Sequence, residues 1–376
     1  MSTSYIKAHQ AIERGMARTA ILAGGFGQRL DTIADPDRNK WAIAKPACPV
    51  GNLRMIEFNM RALRRANLTD FHLMLCHLPH TIRQVVGDGK IYGSNVTIHE
   101  SREVITDPLD TASVVGKLVH HNDWARNPND VIIVPSADII HNIDIAAALD
   151  THLYNREKHG AVATIVVNRV PWGSVERFGT VRLEGMPERT NFNSEPEFED
   201  AVGAWLTDNA AASAKIQEFK EKMARSAALS NLNNSSLYIF NASLFNVLIP
   251  MFTKDKKGLP LIPESHQSGG PSPFSDWGSH IFKWLTEKAQ SDNYPVFAYI
   301  MPQSGYWRDA GLGEELRQAN MDVLDGVIDS GLKEAEGSLW FRTGNESWHG
   351  KNVFIHPNAH VRNSLIGDNV SISENT

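Results

Sequence analysis

The chain has 376 residues, 42% hydrophobic and 21% charged, enough apolar material for a sizeable core and about two or three domains. Its 37 Lys and Arg against 43 Asp and Glu leave a net charge of −6, which argues against a nucleic-acid-coating protein but allows a local basic pocket. Only two cysteines occur, Cys48 and Cys76, too few for a disulfide or zinc framework and consistent with a reducing cytoplasm. The first twenty residues scatter Lys7, Glu13, Arg14 and Arg18 and lack the apolar run of a secretory signal. No window approaches 18 consecutive apolar residues, so no membrane span is expected.

Short apolar strands alternate with helix-like stretches. Thr19–Leu22 predicts a strand entering the turn Gly24-Gly25-Phe26-Gly27, and Met55–Ala66 a helix with Met55, Phe58 and Ala62 inward. Asp70–Leu75 predicts a strand, Pro79–Val86 a helix, Val96–Glu100 a strand and Thr111–His120 a helix. Val131–Pro135, Asp144–His159 and Ala161–Asn168 continue the alternation as strand, helix and strand. This rhythm predicts an α/β fold with a doubly wound, mostly parallel sheet, whose ligands sit at the carboxyl ends of the strands. Leu183–Ala214 is expected to be an insertion between sheet elements, and Thr253–Ser275, with its Gly and Pro, a surface loop.

The expected organisation is a large α/β unit over residues 1–330, a connector over 331–350, and a tail over 351–376. In the tail, Ile355, Val361, Ile366 and Ile372 recur with small residues between them, the hexapeptide pattern of a short left-handed parallel β-helix. Roughly two coils are too few to stand alone, so the tail is expected to lean on the α/β unit or on a neighbour, favouring a homodimer or homotetramer.

The stretch AILAGGFGQRL carries the chemistry that is easiest to read. Glycines after a strand let the backbone turn tightly and aim N–H groups at an anion. The P-loop pattern fails because no Gly-Lys-Ser/Thr follows, and the dinucleotide pattern fails because Leu30 stands where a third glycine belongs. Arg29 adds a fixed cation instead. The pairs His77/His80 and His120/His121 lack partners at metal-ligand spacing and are expected to be ordinary surface histidines.

Followed by Lys45-Pro46-Ala47-Cys48-Pro49-Val50, this turn resembles the nucleotide-sugar pyrophosphorylases, the sugar-1-phosphate nucleotidyltransferases. The resemblance continues in order through VVGDGKIYGSNVTI, Asp107–Ala112, Val134–Asp138, Arg177–Val181, Ile216–Lys222, Asn234–Phe240 and Gly305–Gly311, over about residues 17–376. It implies nucleotidyl transfer from GTP or ATP to a sugar-1-phosphate or a sugar-like cyclitol phosphate, with release of pyrophosphate. It implies a nucleotide site of Leu22, Ala23, Gly24, Gly25, Gly27, Leu109, Thr111 and Asp138, with Arg29, Lys45 and Asp138 catalytic. It also implies Mg²⁺ held by Asp138 and Asp309, and a sugar-phosphate site of Gly179, Glu221, Lys222 and Asn234. Positioning and charge stabilisation would carry such a reaction, for which cations and hard oxygen ligands are suited. Read without the resemblance, EFKEKMAR is simply a charged helical face.

Four departures touch substrate choice: Asp110 for a glycine, Leu312 for a threonine, Met223 for a proline, and a longer segment between Leu30 and Lys45. VVGDGKIYGSNVTI and DPLDTAS resemble mannose-1-phosphate guanylyltransferases most, whereas KPACPVGNLRMIEFNM and GYWRDAG resemble glucose-1-phosphate adenylyltransferases. A catalytically silent regulatory paralogue is the alternative, but Lys45, Asp138 and Asp309 are all present. An acyltransferase site on the tail, as in bifunctional relatives, is not expected from two coils.

Overall fold

In the computed structural model, described over residues 6–25, 43–100, 111–208, 213–251, 276–288, 294–332, 341–343, 347–374 and 376, a nine-stranded sheet forms the centre. Its strands are β1 (Ala17–Leu22), β2 (Asp70–Leu75), β3 (Asn95–Glu100), β4 (Val131–Pro135), β5 (Ala163–Arg169), β6 (Thr180–Leu183), β7 (Ser213–Lys220), β8 (Leu232–Asn241) and β9 (Val296–Ile300). Their spatial order is β3-β2-β1-β4-β8-β5-β9-β7-β6.

The expectation of a mostly parallel sheet holds for one half only. β3, β2, β1 and β4 pair in parallel, each joined to the next through a crossover that includes a helix. β8 then runs antiparallel to both β4 and β5, β9 is parallel to β5, and β7 is antiparallel to β9 and β6. The sheet is therefore mixed. The sequence rhythm misses this because an apolar run has the same composition in either direction.

β4 is buried along its whole length, as a strand covered on both faces must be. One cluster on its flank gathers Phe198, Phe240, Phe245, Trp277 and Phe282. Helix Glu195–Asp208, inside the expected insertion, contributes Phe198, Val202 and Leu206 to that cluster, so this segment is part of the core. The opposite cluster takes Ile56, Met60 and Leu63 of helix Met55–Arg65. Met55 and Phe58 of the same helix enter a third cluster with Ile140, Tyr306 and Val323. Three layers result, helices on both sheet faces.

The tail stacks on itself. Trp348 and His349 pair in parallel with Leu365 and Ile366, and Phe354 and Ile355 with Ser371 and Ile372, so each coil returns after 17 residues. The first of these strands, Ser347–His349, lies within the expected connector. Asn352 and Asn369 both take positive φ at equivalent corners and hydrogen-bond side chain to side chain at 3.1 Å. Leu365 packs against the third cluster of the catalytic unit, which supplies the support two coils need.

Candidate active site

The site assembles where β1, β2 and β4 end. After β1, the Ala23 amide donates to the Met74 carbonyl of β2 at 3.0 Å, and the Ala137 amide after β4 donates to the Leu22 carbonyl at 2.8 Å. Leu22, Ala23 and Gly24 are thereby stitched between two neighbours. A Cβ on Gly24 would come within 3.1 Å of the Cys76 Cβ, whereas Gly25 has open space around it. Gly24 is small because β2 is close; Gly25 faces solvent. Gly27, Arg29 and Leu109 lie outside the described residues.

Lys45 occupies a short 3₁₀ turn, Lys45–Ala47, stiffened by Pro46. Its ammonium contacts the Asp138 carboxylate at 2.8 Å and the Asp309 carboxylate at 3.0 Å. The lysine side chain is 6% exposed, while Asp138 is 36% exposed and so open on one side. Asp138 follows β4 and also accepts the Ser136 hydroxyl at 2.6 Å. Asp309 comes from a three-residue strand, Trp307–Asp309, antiparallel to Ile139–His141, in a register that places Asp309 opposite Ile139. Two carboxylates far apart in sequence thus become neighbours.

Burial works to lower the Lys45 pKa, but the two carboxylates override it and the net shift is upward. Burial works to raise Asp138, and here Lys45 and Ser136 prevail, so the carboxyl is held below its ordinary range. Both groups are charged at neutral pH. Paired aspartate oxygens that one cation can reach together suit a hard divalent ion such as Mg²⁺. Among the described residues no group of three or more His, Cys, Asp or Glu is placed to hold a metal, so two carboxylates would leave positions for water and phosphate.

Asn59 braces this pair, a role the sequence analysis missed. It is buried, donates to the Ile139 carbonyl at 3.0 Å, and its amide oxygen meets His141 Nε2 at 2.9 Å. A polar residue on the buried face of a predicted helix is the signal that marks it.

A second group of residues lies around Glu221. A Cβ on Gly179 would collide with Glu221 Oε2 and with the Phe219 ring, and one on Gly278 would lie 2.5 Å from the same oxygen. The carboxylate is therefore wedged between two glycines. Oε2 is buried with no hydrogen-bond partner, and burial pushes the carboxyl pKa up, against Lys222 and with Asp276. Lys222 has φ +47°, is 63% exposed and lies 3.7 Å from Glu221. The Asn234 amide donates to the Gly179 carbonyl at 2.8 Å, and the Asn234 side chain donates to the Tyr238 hydroxyl at 2.9 Å. The structure thus brings Gly179, Glu221, Lys222 and Asn234 into one locality.

Thr111 is committed to other partners. Its hydroxyl donates to Asp276 at 2.9 Å and accepts the Trp277 amide at 3.3 Å, tying the start of helix Thr111–His121 to the segment before Gly278. Asp276 was not singled out in the sequence, although an aspartate before a helical run reads as a cap, and its carboxylate does accept the Ser279 amide at 2.8 Å.

A bulge in β8 joins the two localities. Between Asn234 and Tyr238 the register shifts, Ser236 takes φ +61°, and the Ser136 amide donates to the Ser236 carbonyl at 2.9 Å. Ser235 accepts the Trp307 indole N–H at 3.0 Å. Bulges re-aim side chains beside functional sites.

Residues 18–326 match the nucleotidyl transferase family. The chain belongs to that family. The kinship expected with nucleotide-sugar pyrophosphorylases therefore holds. The transferase is similar to glucose-1-phosphate adenylyltransferase of Geobacillus stearothermophilus, 27% identical over 359 residues, covering 93% of this chain and 75% of the relative. It is equally similar to the enzyme of that name from Desulforamulus reducens, 27% identical over 364 residues, covering 94% and 75%. In fold it resembles a glucose-1-phosphate thymidylyltransferase of Bacillus anthracis crystallised with sucrose, with TM-score 0.56 and 19% identity over 83% of this chain and 96% of that one. A UDP-glucose pyrophosphorylase bound to UDP-glucose gives TM-score 0.53 and 15% identity, over 82% and 99%. Among the described residues, no helix is long and apolar enough to cross a membrane.

Proposed function

We propose that the protein transfers a purine nucleotidyl group from an NTP to a hexose-1-phosphate, releasing pyrophosphate. The observation that carries this is the Lys45 ammonium held by Asp138 and Asp309 beside a glycine turn at the ends of parallel strands. ATP stands first, because the similar adenylyltransferases pair it with glucose-1-phosphate. GTP, which the sequence alone places slightly ahead through VVGDGKIYGSNVTI and DPLDTAS, stands second, and a cyclitol phosphate remains an acceptor class because Met223 departs from the family pattern.

The sugar-phosphate oxygen attacks the α-phosphorus, and the bond to the pyrophosphate oxygen breaks in line. Lys45 neutralises charge that builds on the phosphates, a role in which one preorganised cation contributes about 10²–10³ in rate. The Gly24 and Gly25 amides, beyond the end of β1, hold the nucleotide phosphates, and Glu221 accepts sugar hydroxyls while Lys222 meets the sugar phosphate. Mg²⁺ on Asp138 and Asp309 would supply charge neutralisation at the phosphates. The tail, read as the start of a left-handed β-helix, would meet a second copy in a homodimer or homotetramer, and a cytoplasmic setting fits a chain with only two cysteines.

Pyrophosphate release measured with four NTPs across glucose-, mannose- and cyclitol-phosphates tests this reading. Turnover with ATP or GTP, lost in Asp138→Asn, is the expected result. Turnover with UTP or dTTP alone overturns the purine assignment. Binding of NTP without turnover in any pairing favours the regulatory alternative.

A further inference from the structure

The strand that carries Asp309 is three residues long and, among the described residues, pairs only with another three-residue strand, so its ladder fixes its position weakly. Side chains do the rest, and they do so on both faces. On the face shared with Asp309, Trp307 meets the Phe178 ring edge-on at 5.2 Å and donates to the Ser235 carbonyl. On the other face, Arg308 donates to Glu315 at 2.5 Å, and the other oxygen of Glu315 accepts Arg177 at 2.5 Å. Arg308 also contacts Asp322 at 3.1 Å and the Tyr306 hydroxyl at 3.1 Å, and Tyr306 donates to Asp322 at 2.7 Å.

Glu315 is thus the one carboxylate shared by an arginine next to Asp309 and an arginine two residues before Gly179. The three side chains are only 23–26% exposed, so their hydrogen bonds are partly shielded from water. Arg177 Nε and Nη2 are buried and make no hydrogen bond among the described residues, so Glu315 is the hydrogen-bonding anchor for a guanidinium that also lies over the Phe178 ring at 5.1 Å. Both ion pairs hold Glu315 below the ordinary carboxylate range in spite of burial. Nothing in the assigned chemistry requires this triad.

Resting on the proposed function above, we propose that Glu315 is a positioning residue that clamps the Asp309 strand to the sugar-side segment Arg177–Gly179, and so sets Asp309 against Asp138. Glu315 touches neither substrate nor cation. It acts through Arg308, whose neighbour is Asp309, and through Arg177, whose chain leads directly to the glycine under Glu221. Releasing it loosens both ends of the site while the nine-stranded sheet stays intact.

The test is direct Mn²⁺ binding to the full-length protein without substrates, read by electron paramagnetic resonance, alongside KM and kcat for the sugar phosphate. Glu315→Ala and Arg177→Ala are each expected to weaken Mn²⁺ about tenfold, and the double variant no further, since coupled neighbours are non-additive. Glu315→Gln, which keeps the shape, is expected to fall between, with KM for the sugar phosphate rising more than kcat falls. Additive effects, or a lowered melting temperature with unchanged Mn²⁺ affinity and KM in Glu315→Gln, overturn the clamp. Asp309→Asn is the control: if it leaves Mn²⁺ binding unchanged, the two-carboxylate site itself is wrong and the clamp falls with it.

Discussion

The backbone N–H of Ser136 donates to the carbonyl of Ser236 at 2.9 Å, and this hydrogen bond helps join the two halves of the site. Ser136 also gives its hydroxyl to Asp138, and Ser236 takes positive φ in the bulge that starts at Asn234. A non-glycine residue in that conformation stores strain of order ~1 kcal/mol, tolerated where the surroundings over-determine it. The Asp138 carboxylate and the Asn234 amide are therefore placed by the same distortion.

Lys45→Met is expected to lower turnover by about 10³, since it removes the cation proposed to neutralise the reacting phosphates. It also leaves Asp138 and Asp309 facing each other, at a cost of about 2 kcal/mol, moderated because Asp138 is partly solvated. Thermal melts with and without Mg²⁺ check this: the variant should be destabilised in chelator and recover more than wild type when Mg²⁺ is added.

Glu221→Gln separates binding from stability. Burial raises the Glu221 carboxyl, so its favourable contribution is present below about 4.5 and lost as pH rises through the folded-state value. The amide escapes that loss and should stabilise the protein by about 1 kcal/mol at pH 7.5. The gain should shrink toward pH 4.5, and KM for the sugar phosphate should rise at least tenfold. Urea titrations at the two pH values and steady-state kinetics measure both.

How far the sequence could be read follows from how local each feature is. Gly24 and Gly25 sit in a short run that carries its own geometry, a glycine turn after a strand, whereas Lys45 and Asp138 were picked out by the family resemblance. Asp309 needed the family resemblance, because its partner strand Ile139–His141 is remote. Glu315 was invisible for the same reason, and Asp276 and Asn59 carried only a local signal, a cap and a polar residue on a buried helix face, while their partners lie across the fold. Strand direction was equally hidden: the composition of β8 does not say that it runs against β4. In the tail, the apolar residues of the repeat do fall on parallel-paired strands, and Leu365 packs against the third cluster.

Acid should unfold the protein through two buried histidines. His152 is held neutral between Thr164 and Asn241, and His141 beside Asn59. Burial brings both down to about 3. A depressed folded value means the stability is present above about 6.5 and is lost as pH falls toward 3, at up to about 1.4 kcal/mol per pH unit for each group. Urea midpoints at pH 7.5 and 5 should differ strongly, and His152→Gln should flatten the difference.

Leu312→Thr should stabilise. Leu312 has the extended backbone of an N-cap for helix Gly313–Leu324, but its side chain makes no capping hydrogen bond. A threonine oxygen there would satisfy one helix amide and add about 1 kcal/mol. Denaturant melts check the sign; an unchanged midpoint would mean that the hydroxyl finds no amide.

The central claim is that the site moves a nucleotidyl group, and label transfer tests it most directly. The protein is incubated with Mg²⁺, a sugar-1-phosphate panel and ATP or GTP carrying ³²P at the α-position. The account predicts ³²P in the nucleoside diphosphate sugar, none in free nucleoside monophosphate, and return of the label to NTP on adding pyrophosphate. Release of label as nucleoside monophosphate, or labelled product formed equally well by Asp138→Asn, would contradict it.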